Sequence, residues 1–242
     1  MLVSLAAIGI PAAVLTATCA GRSCDASGGE AVRVPFCPLP QDVKEGVVNG
    51  FREGRSPDVL GVADGTLVYT DLEGLRMPWP AAGTLTDTRV PIVFAGTGVT
   101  SGASVPNRTT LDRVAPTVSE ILGFEREHPE VRSGTAVAGI ANGEPSSLVL
   151  LVGWKGVGSS ELENHPQDWP FLSSLLDDGA GTLEGETGSL PIDPAATLTT
   201  VGTGGLPSQH GITGSFIRDG EGEVDEAFRL GLPVEDRQII AT

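Results

Sequence analysis

Two apolar runs bounded by glycine constrain the fold of this 242-residue chain more than any other feature. The first is VPIVFAGTG at 90–98, and the second is LVLLVGW at 148–154. Neither run carries a charge or alternates between apolar and polar residues, so both predict strands that are buried on both faces. Because helical patterns lie between and after them, we expect an α/β fold with a largely parallel sheet flanked by helices.

Helical spacing and end signals predict the flanking helices. A first helix is expected from residue 41 to Gly54, and a second begins near Pro116 and ends at Gly123. A third begins at Asp168 as N-cap and ends at Gly179. A further helix is predicted over 195–204, and short strands over 58–64, 66–71, 213–219 and 237–242.

The N-terminal residues predict an export signal. Residues 1–20 are apolar and uncharged, and they are too short and too interrupted by Pro11 for a membrane span. Cleavage after Ala20 would leave a polar linker at 21–38, with Cys24 and Cys37 as a disulfide pair. Cys19 is a candidate lipid attachment point in a poor sequence context. The remainder divides into segments 39–142 and 146–242, which are expected to share one sheet or to form two partial modules.

The charge balance excludes one class of partner. Fifteen Lys and Arg against 31 Asp and Glu give a net charge of −16. Such a surface repels nucleic acid, and no basic cluster in the sequence offers a docking site for it. A strongly acidic surface keeps a secreted or cell-surface protein soluble, which is the localisation we expect.

Two sequence blocks resemble the alkaline phosphatase superfamily of metal-dependent phosphoester and sulfate-ester hydrolases, which includes the nucleotide pyrophosphatase/phosphodiesterases. Residues 203–212, TGGLPSQHGI, are similar to the family's T-G-x-x-P-x-x-H-G-I. Residues 87–123 are similar to its D-T-H-V-P-L-[IL]-F-x-G-x-G and A-P-T-x-x-x-[IL]-L-G. The resemblance implies an alkaline-phosphatase-like fold. The two blocks stand in reversed order, so we expect that fold to be permuted or truncated.

The resemblance implies a two-metal site, and this chain departs from it at three positions. The family's first metal ligand is an Asp after the opening strand, where this chain has Gly153. The nucleophile position falls on Pro194, and a His ligand is replaced by Arg89. The D-H-G and D-x-x-x-H elements are absent from the sequence. We therefore predict no complete metal site and no bound metal.

Five residues remain as site candidates. Ser189 and Thr197 would become nucleophiles only under a shifted alignment, and otherwise face a turn or cap a helix. Lys155, Arg89 and His210 are candidate binding residues. Lys155 would place a positive charge where the family holds a metal, or is simply exposed. His210 would contact a ligand or hydrogen-bond within its turn.

Three functions follow from this interpretation. The first is a secreted relative that is inactive as a hydrolase and serves in binding or scaffolding, without a cofactor. The alternative is part of a metal-dependent phosphodiesterase or phosphatase whose remaining ligands for zinc or another divalent metal lie outside this chain. The third is a purely structural cell-surface domain. The sequence names no partner, and it predicts no integral membrane segment after removal of the signal.

Overall fold

The computed structural model describes residues 37–62, 87–126, 132–229 and 232–233. The expected signal, Cys19, Cys24 and the strands at 66–71 and 237–242 lie outside these ranges. The described helices are α1 (Gln41–Gly50), α2 (Val114–Leu122), α3 (Ser159–Asn164), α4 (Pro170–Asp178), α5 (Pro194–Thr203) and α6 (Pro207–His210), with a 3₁₀ turn at Leu111–Arg113 before α2. The described strands are β1 (Arg89–Phe94), β2 (Ala180–Glu186), β3 (Phe216–Arg218), β4 (Val224–Glu226), β5 (Phe228–Arg229) and β6 (Leu232–Pro233).

β1 and β2 form the sheet on which the largest core is built. They pair antiparallel, with Arg89 opposite Glu186 and Phe94 opposite Ala180. The register shifts around Pro91, which lacks the N–H that a regular ladder requires. This pairing joins the chain before residue 142 to the chain after residue 146 in one sheet.

The α/β content is confirmed, but the expectation of a largely parallel sheet is not met by the described strands. Each of the three described strand pairs is antiparallel. Parallel pairing is limited there to isolated bridges from Ser104 to Gly181 and from Thr110 to Glu186. The physical reason is that β1 pairs with β2, which begins after α4 and runs in the opposite direction to β1.

The run at 148–154 is not a buried strand, so that prediction is wrong. It has neither helical nor strand structure, and the side chains of Leu148 and Leu150 are 82% and 83% exposed. Of its residues only Val149 packs against the core cluster around β1. Hydrophobicity alone does not bury a strand. The interior beside β1 is filled by other side chains, among them Val105 and Ile140.

Most predicted helices form, with shifted ends. α1 stops at Gly50 rather than Gly54, because the chain turns extended at Phe51. A Cβ at residue 50 would lie 1.9 Å from the carbonyl oxygen of Leu190, so this close approach requires glycine. α2 ends where predicted, with Gly123 in the left-handed conformation (φ 74°).

The third and fourth predicted helices also form. α4 has Pro170 as its first residue and Gly179 after its end, but its N-cap is Trp169 instead of Asp168. α5 matches the helix predicted over 195–204, and Gly204 ends it with φ 71°. Pro is tolerated in the first turn because its missing N–H has no helical partner there, which explains why the start of α4 could be predicted from Pro170.

The strand predictions have mixed outcomes. β3 lies inside the strand predicted over 213–219. Residues 58–62 form no strand, and Leu60 and Val62 instead pack with Leu39, Val43 and Leu190. α3 and β2 were not predicted. Within the described residues, no helix has the length and apolar composition that crossing a membrane requires.

Candidate functional site

The segment that enters α5 holds the position expected for a nucleophile. Pro194 is the first residue of α5, and the Asp193 side chain before it caps the helix by accepting from the Ala195 amide at 2.8 Å. The hydroxyl of Ser215 donates to the same Asp193 oxygen at 2.9 Å. A proline has no hydroxyl to activate, and the neighbouring carboxylate is engaged in holding the helix start.

The two alternative hydroxyls do not converge on a common point. Thr197 is half-buried in α5, and its backbone amide donates to the Asp193 carbonyl at 2.8 Å. Ser189 is buried, and its carbonyl accepts from the Thr187 hydroxyl. Among the described residues, no hydrogen bond or ion pair joins Ser189, Thr197 and Lys155 to one another. Thr197 therefore lies in the first turn of α5 and Ser189 in the segment before that helix.

His210 uses both ring nitrogens in hydrogen bonds, one within its own turn and one to α5. Its side chain is buried, and Nδ1 accepts from the Ile212 amide at 3.1 Å. The proton therefore sits on Nε2, which donates to the hydroxyl of Thr200 at 3.1 Å. Burial lowers the pKa of His210 to about 4, so the ring is neutral at physiological pH. This is the turn hydrogen bonding that the sequence allowed for, and it leaves no ring atom for a ligand.

Arg89 is the centre of the most heavily charged cluster among the described residues. Its guanidinium contacts Asp87 at 3.1 Å, Glu163 at 2.8 Å and Glu184 at 3.0 Å. The hydrogen bond to Glu163, followed by that to Asp87, raises the pKa of Arg89 above its ordinary value. Three elements meet here, because Glu163 belongs to α3, Glu184 to β2 and Arg89 to β1.

Asp87 is the buried member of this cluster. Burial by itself would raise its pKa, but hydrogen bonds from Arg89 and Ser160 outweigh that effect and hold the pKa below its ordinary value. The backbone amide of Arg89 also donates to Asp87 at 2.9 Å. The carboxylate is therefore ionised and fixed, with its hydrogen-bonding capacity directed at an arginine.

Gly153 and Lys155 lie at exposed positions, in contrast to the buried Asp87. Both are exposed, and the atom nearest to a Cβ built at Gly153 is the Leu198 Cδ2, at 3.6 Å. Lys155 begins the turn that contains Gly156. The described structure therefore shows Lys155 as a surface residue rather than part of the Arg89 cluster.

The described residues do not fit a two-metal centre. Among them no group of three or more His, Cys, Asp and Glu side chains is placed to hold a metal ion. Gly153 has no ligand atom, and Arg89 puts a fixed cation among the carboxylates that might otherwise serve. A divalent ion would have to displace that guanidinium or be repelled by it.

A cavity of about 330 Å³ lies elsewhere, between α2 and the loop that follows residue 132. Its lining carries charges of both signs, from Arg126, Arg132, Glu120 and Glu125. Burial, followed by the charge of Arg132, lowers the pKa of Arg126. Each of the five candidates from the sequence is outside this lining, namely Arg89, Lys155, Ser189, Thr197 and His210.

A family model matches part of the second half of the chain. The model of the type I phosphodiesterase / nucleotide pyrophosphatase family matches residues 149–236. The predicted resemblance is confirmed over this segment. It includes Gly153, Lys155, Thr197 and His210, whereas β1 and Arg89 lie outside it. No curated protein and no solved structure matches the chain. The reversed order of the two blocks stays a prediction.

Sequence reasoning missed the carboxylates around Arg89. Glu163 lies 74 residues and Glu184 95 residues from it along the chain. Both occur in elements that the sequence did not predict, α3 and β2. The signal that was available is local: Asp87 lies two residues before Arg89, on the same side of an extended chain, which is the spacing of an ion pair.

Proposed function

We propose that this chain is an exported pseudo-hydrolase, a phosphodiesterase-family domain that binds or scaffolds and does not cleave phosphoesters. The observation that carries the proposal is the Arg89 cluster. Where the resembled family places a histidine ligand, this chain has a guanidinium that three carboxylates already neutralise. A metal at this point would lose the imidazole ligand and would meet the positive charge of a guanidinium that already forms ion pairs with the carboxylates.

The other two substitutions support the same conclusion. Gly153 is exposed and lacks a ligand atom, and the atom nearest to a Cβ built there is apolar, the Leu198 Cδ2 at 3.6 Å. Pro194 begins a helix whose cap is the neighbouring Asp193. Restoring a hydroxyl at 194 would therefore place it beside a carboxylate committed to the helix start.

Export is supported by two features of different kinds. Residues 1–20 have the composition of a signal sequence, and Cys37 is disulfide-bonded. Its partner lies outside the described residues, so the Cys24–Cys37 pairing stays a prediction. Disulfides persist in oxidising compartments, which is consistent with a secreted or cell-surface location. N-terminal sequencing of the mature protein checks this, because a start at Gly21 is expected and an intact Met1 would contradict export.

A second candidate is part of a metal-dependent phosphodiesterase whose other ligands lie outside this chain. The observation in its favour is the family match itself, which is confined to residues 149–236. In that case zinc or another divalent metal would be held mainly by residues beyond those described here. Gly153 and Pro194 would still need replacements from elsewhere.

A hydrolysis assay separates the two candidates. The purified chain is incubated with bis-p-nitrophenyl phosphate or p-nitrophenyl phosphate, with and without zinc and manganese, and bound metal is measured on the same sample. We expect no metal-dependent turnover and no stoichiometric metal. Turnover above background that zinc or manganese restores after chelation would overturn the pseudo-hydrolase proposal. The variant Arg89→His serves as a matched probe of whether the arginine is what excludes metal.

A further inference from the structure

The exposed apolar run at 148–154 has no strand partner among the described residues. None of its backbone amides donates a hydrogen bond to any described residue. Its carbonyls are similarly unused there, except that Leu148 accepts from the Ser146 hydroxyl. Glycines with positive φ, Gly143 and Gly156, stand on both sides of the stretch. Backbone with unused donors and acceptors beside exposed apolar side chains can pair with another strand.

Most side chains of this run are uncovered. The exposed large apolar residues are Leu148, Leu150, Leu151, Val152 and Trp154. Val149 packs on the core, and the exposed Gly153 lies near Leu198 on α5. The run therefore presents apolar side chains along almost its whole length, with one contact to the core at Val149.

We propose that this segment pairs antiparallel with the same segment of a second copy of the chain, about a two-fold axis at Leu150. An isologous interface of this kind needs residues of equal parity opposite each other, because a two-fold axis normal to the sheet keeps each face. Centring on Leu150 sets Leu148 opposite Val152 of the second copy. The central contacts, Leu150 with Leu150 and Leu148 with Val152, then join exposed apolar side chains, which stabilises the pair.

The charges at the two ends of the run favour antiparallel over parallel pairing, and they favour a second copy of the chain as the partner. Glu144 precedes the run and Lys155 follows it, and both are exposed. Neither forms an ion pair with a described residue. Antiparallel pairing brings Lys155 of each copy next to Glu144 of the other, whereas parallel pairing would bring like charges together. A second copy therefore supplies the apolar side chains, the backbone partners and the opposite charge at each end.

The net charge of −16 opposes association of two copies over long distances. Salt screens that repulsion, since the Debye length falls from about 30 Å at 0.01 M to about 8 Å at 0.15 M. The apolar and backbone contacts of the paired strands are much less sensitive to salt. Dimerisation should therefore increase with ionic strength, which is the opposite of an association driven by surface charge.

Sedimentation equilibrium of the full chain tests the interface. The wild-type chain should form a concentration-dependent dimer that is favoured by added salt. Leu150→Lys places two like charges at the axis and should give a monomer. Val224→Lys is the matched control, because Val224 is also exposed, at 65%, but lies in β4. It should dimerise as the wild type does. A wild-type monomer at every concentration, or equal behaviour of the two variants, would overturn the proposal.

Cross-linking tests the register. Leu150→Cys should form a covalent dimer on mild oxidation, because cross-strand neighbours place their Cβ atoms about 5 Å apart. Leu148→Cys should cross-link poorly with itself and well when mixed with Val152→Cys. The wild-type chain controls for its native cysteines. Equal self-cross-linking at 148 and 150 would refute the register. Binding of the monomer to neutral lipid vesicles, lost in Leu150→Lys, would assign the surface to lipid and refute the dimer.

Discussion

Replacing Arg89 by methionine tests whether the guanidinium is the cation that this cluster requires. The substitution keeps the aliphatic stem and removes the charge. Asp87, only 6% exposed, loses the hydrogen bonds from Nε and Nη2 of the arginine side chain. It keeps the hydrogen bonds from the backbone amide of residue 89 and from Ser160. A buried carboxylate that loses part of its hydrogen bonding costs about 1–3 kcal/mol. The half-exposed Glu163 and Glu184 add no more than about 1 kcal/mol together, as exposed pairs do.

The expected loss in the free energy of unfolding is therefore about 1–4 kcal/mol at neutral pH. Denaturant unfolding followed by circular dichroism measures it, with Arg108→Met as the matched control. Arg108 is 64% exposed and forms an ion pair with Glu186 at 3.1 Å. The same substitution there should cost less than about 1 kcal/mol. The double variant Asp87→Asn with Arg89→Met should recover part of the loss, because no buried charge remains.

The pH dependence follows from the pKa of Asp87. In the wild type that pKa is lowered, so the stabilisation is present above the unfolded-state value and is lost as pH falls through the folded one. Without Arg89, burial dominates and the pKa of Asp87 rises. The difference in the free energy of unfolding between wild type and variant should be largest at neutral pH and should decrease below about pH 4. A loss no larger than that of Arg108→Met, or one independent of pH, would refute the reasoning.

Three further predictions concern the turn and the close approaches. Because burial lowers the pKa of His210 to about 4, the wild type should lose stability as pH falls from about 6.5 toward 4, and His210→Gln should flatten that part of the urea-unfolding profile. Asp193→Ala removes the α5 cap and the partner of Ser215, so thermal unfolding should show a loss of about 1–2 kcal/mol, against no loss for Asp193→Asn. Gly50→Ala should destabilise the chain by more than about 2 kcal/mol in the same assay, since its Cβ would meet the Leu190 carbonyl, whereas Gly202→Ala meets no atom within 4 Å and should be neutral or stabilising.

The helix ends could be predicted from the sequence because they depend on local chemistry. Gly123 and Gly204 adopt the left-handed conformation that ends a helix, and Pro170 and Pro194 begin one. The motif at residues 203–212, which contains His210, likewise predicted a turn. In each case the residues that decide the structure are within one turn of the residue in question.

The elements that were predicted wrongly, or not predicted at all, depend on partners far away in the sequence. The run at 148–154 has the composition of a buried strand, but burial requires neighbours that the described chain does not place there. β2 contains two glycines, which strands normally disfavour. A Cβ at Gly181 would lie 2.9 Å from the carbonyl oxygen of Ile92, and a Cβ at Gly185 would lie 2.7 Å from that of Val90, so this close pairing with β1 favours glycine at both positions. The carboxylates of the Arg89 cluster were unpredictable for the same reason, as they come from α3 and β2.

The pairing of β1 with β2 has a practical consequence for anyone who wishes to study the matched segment by itself. Residues 149–236 contain β2, but the strand that satisfies the backbone of β2 lies some ninety residues upstream, outside those limits. Expression cut at the boundaries of the match would remove one edge of the sheet together with Arg89. Such a fragment should be insoluble or unfolded, whereas co-expression with residues 37–142 should rescue it.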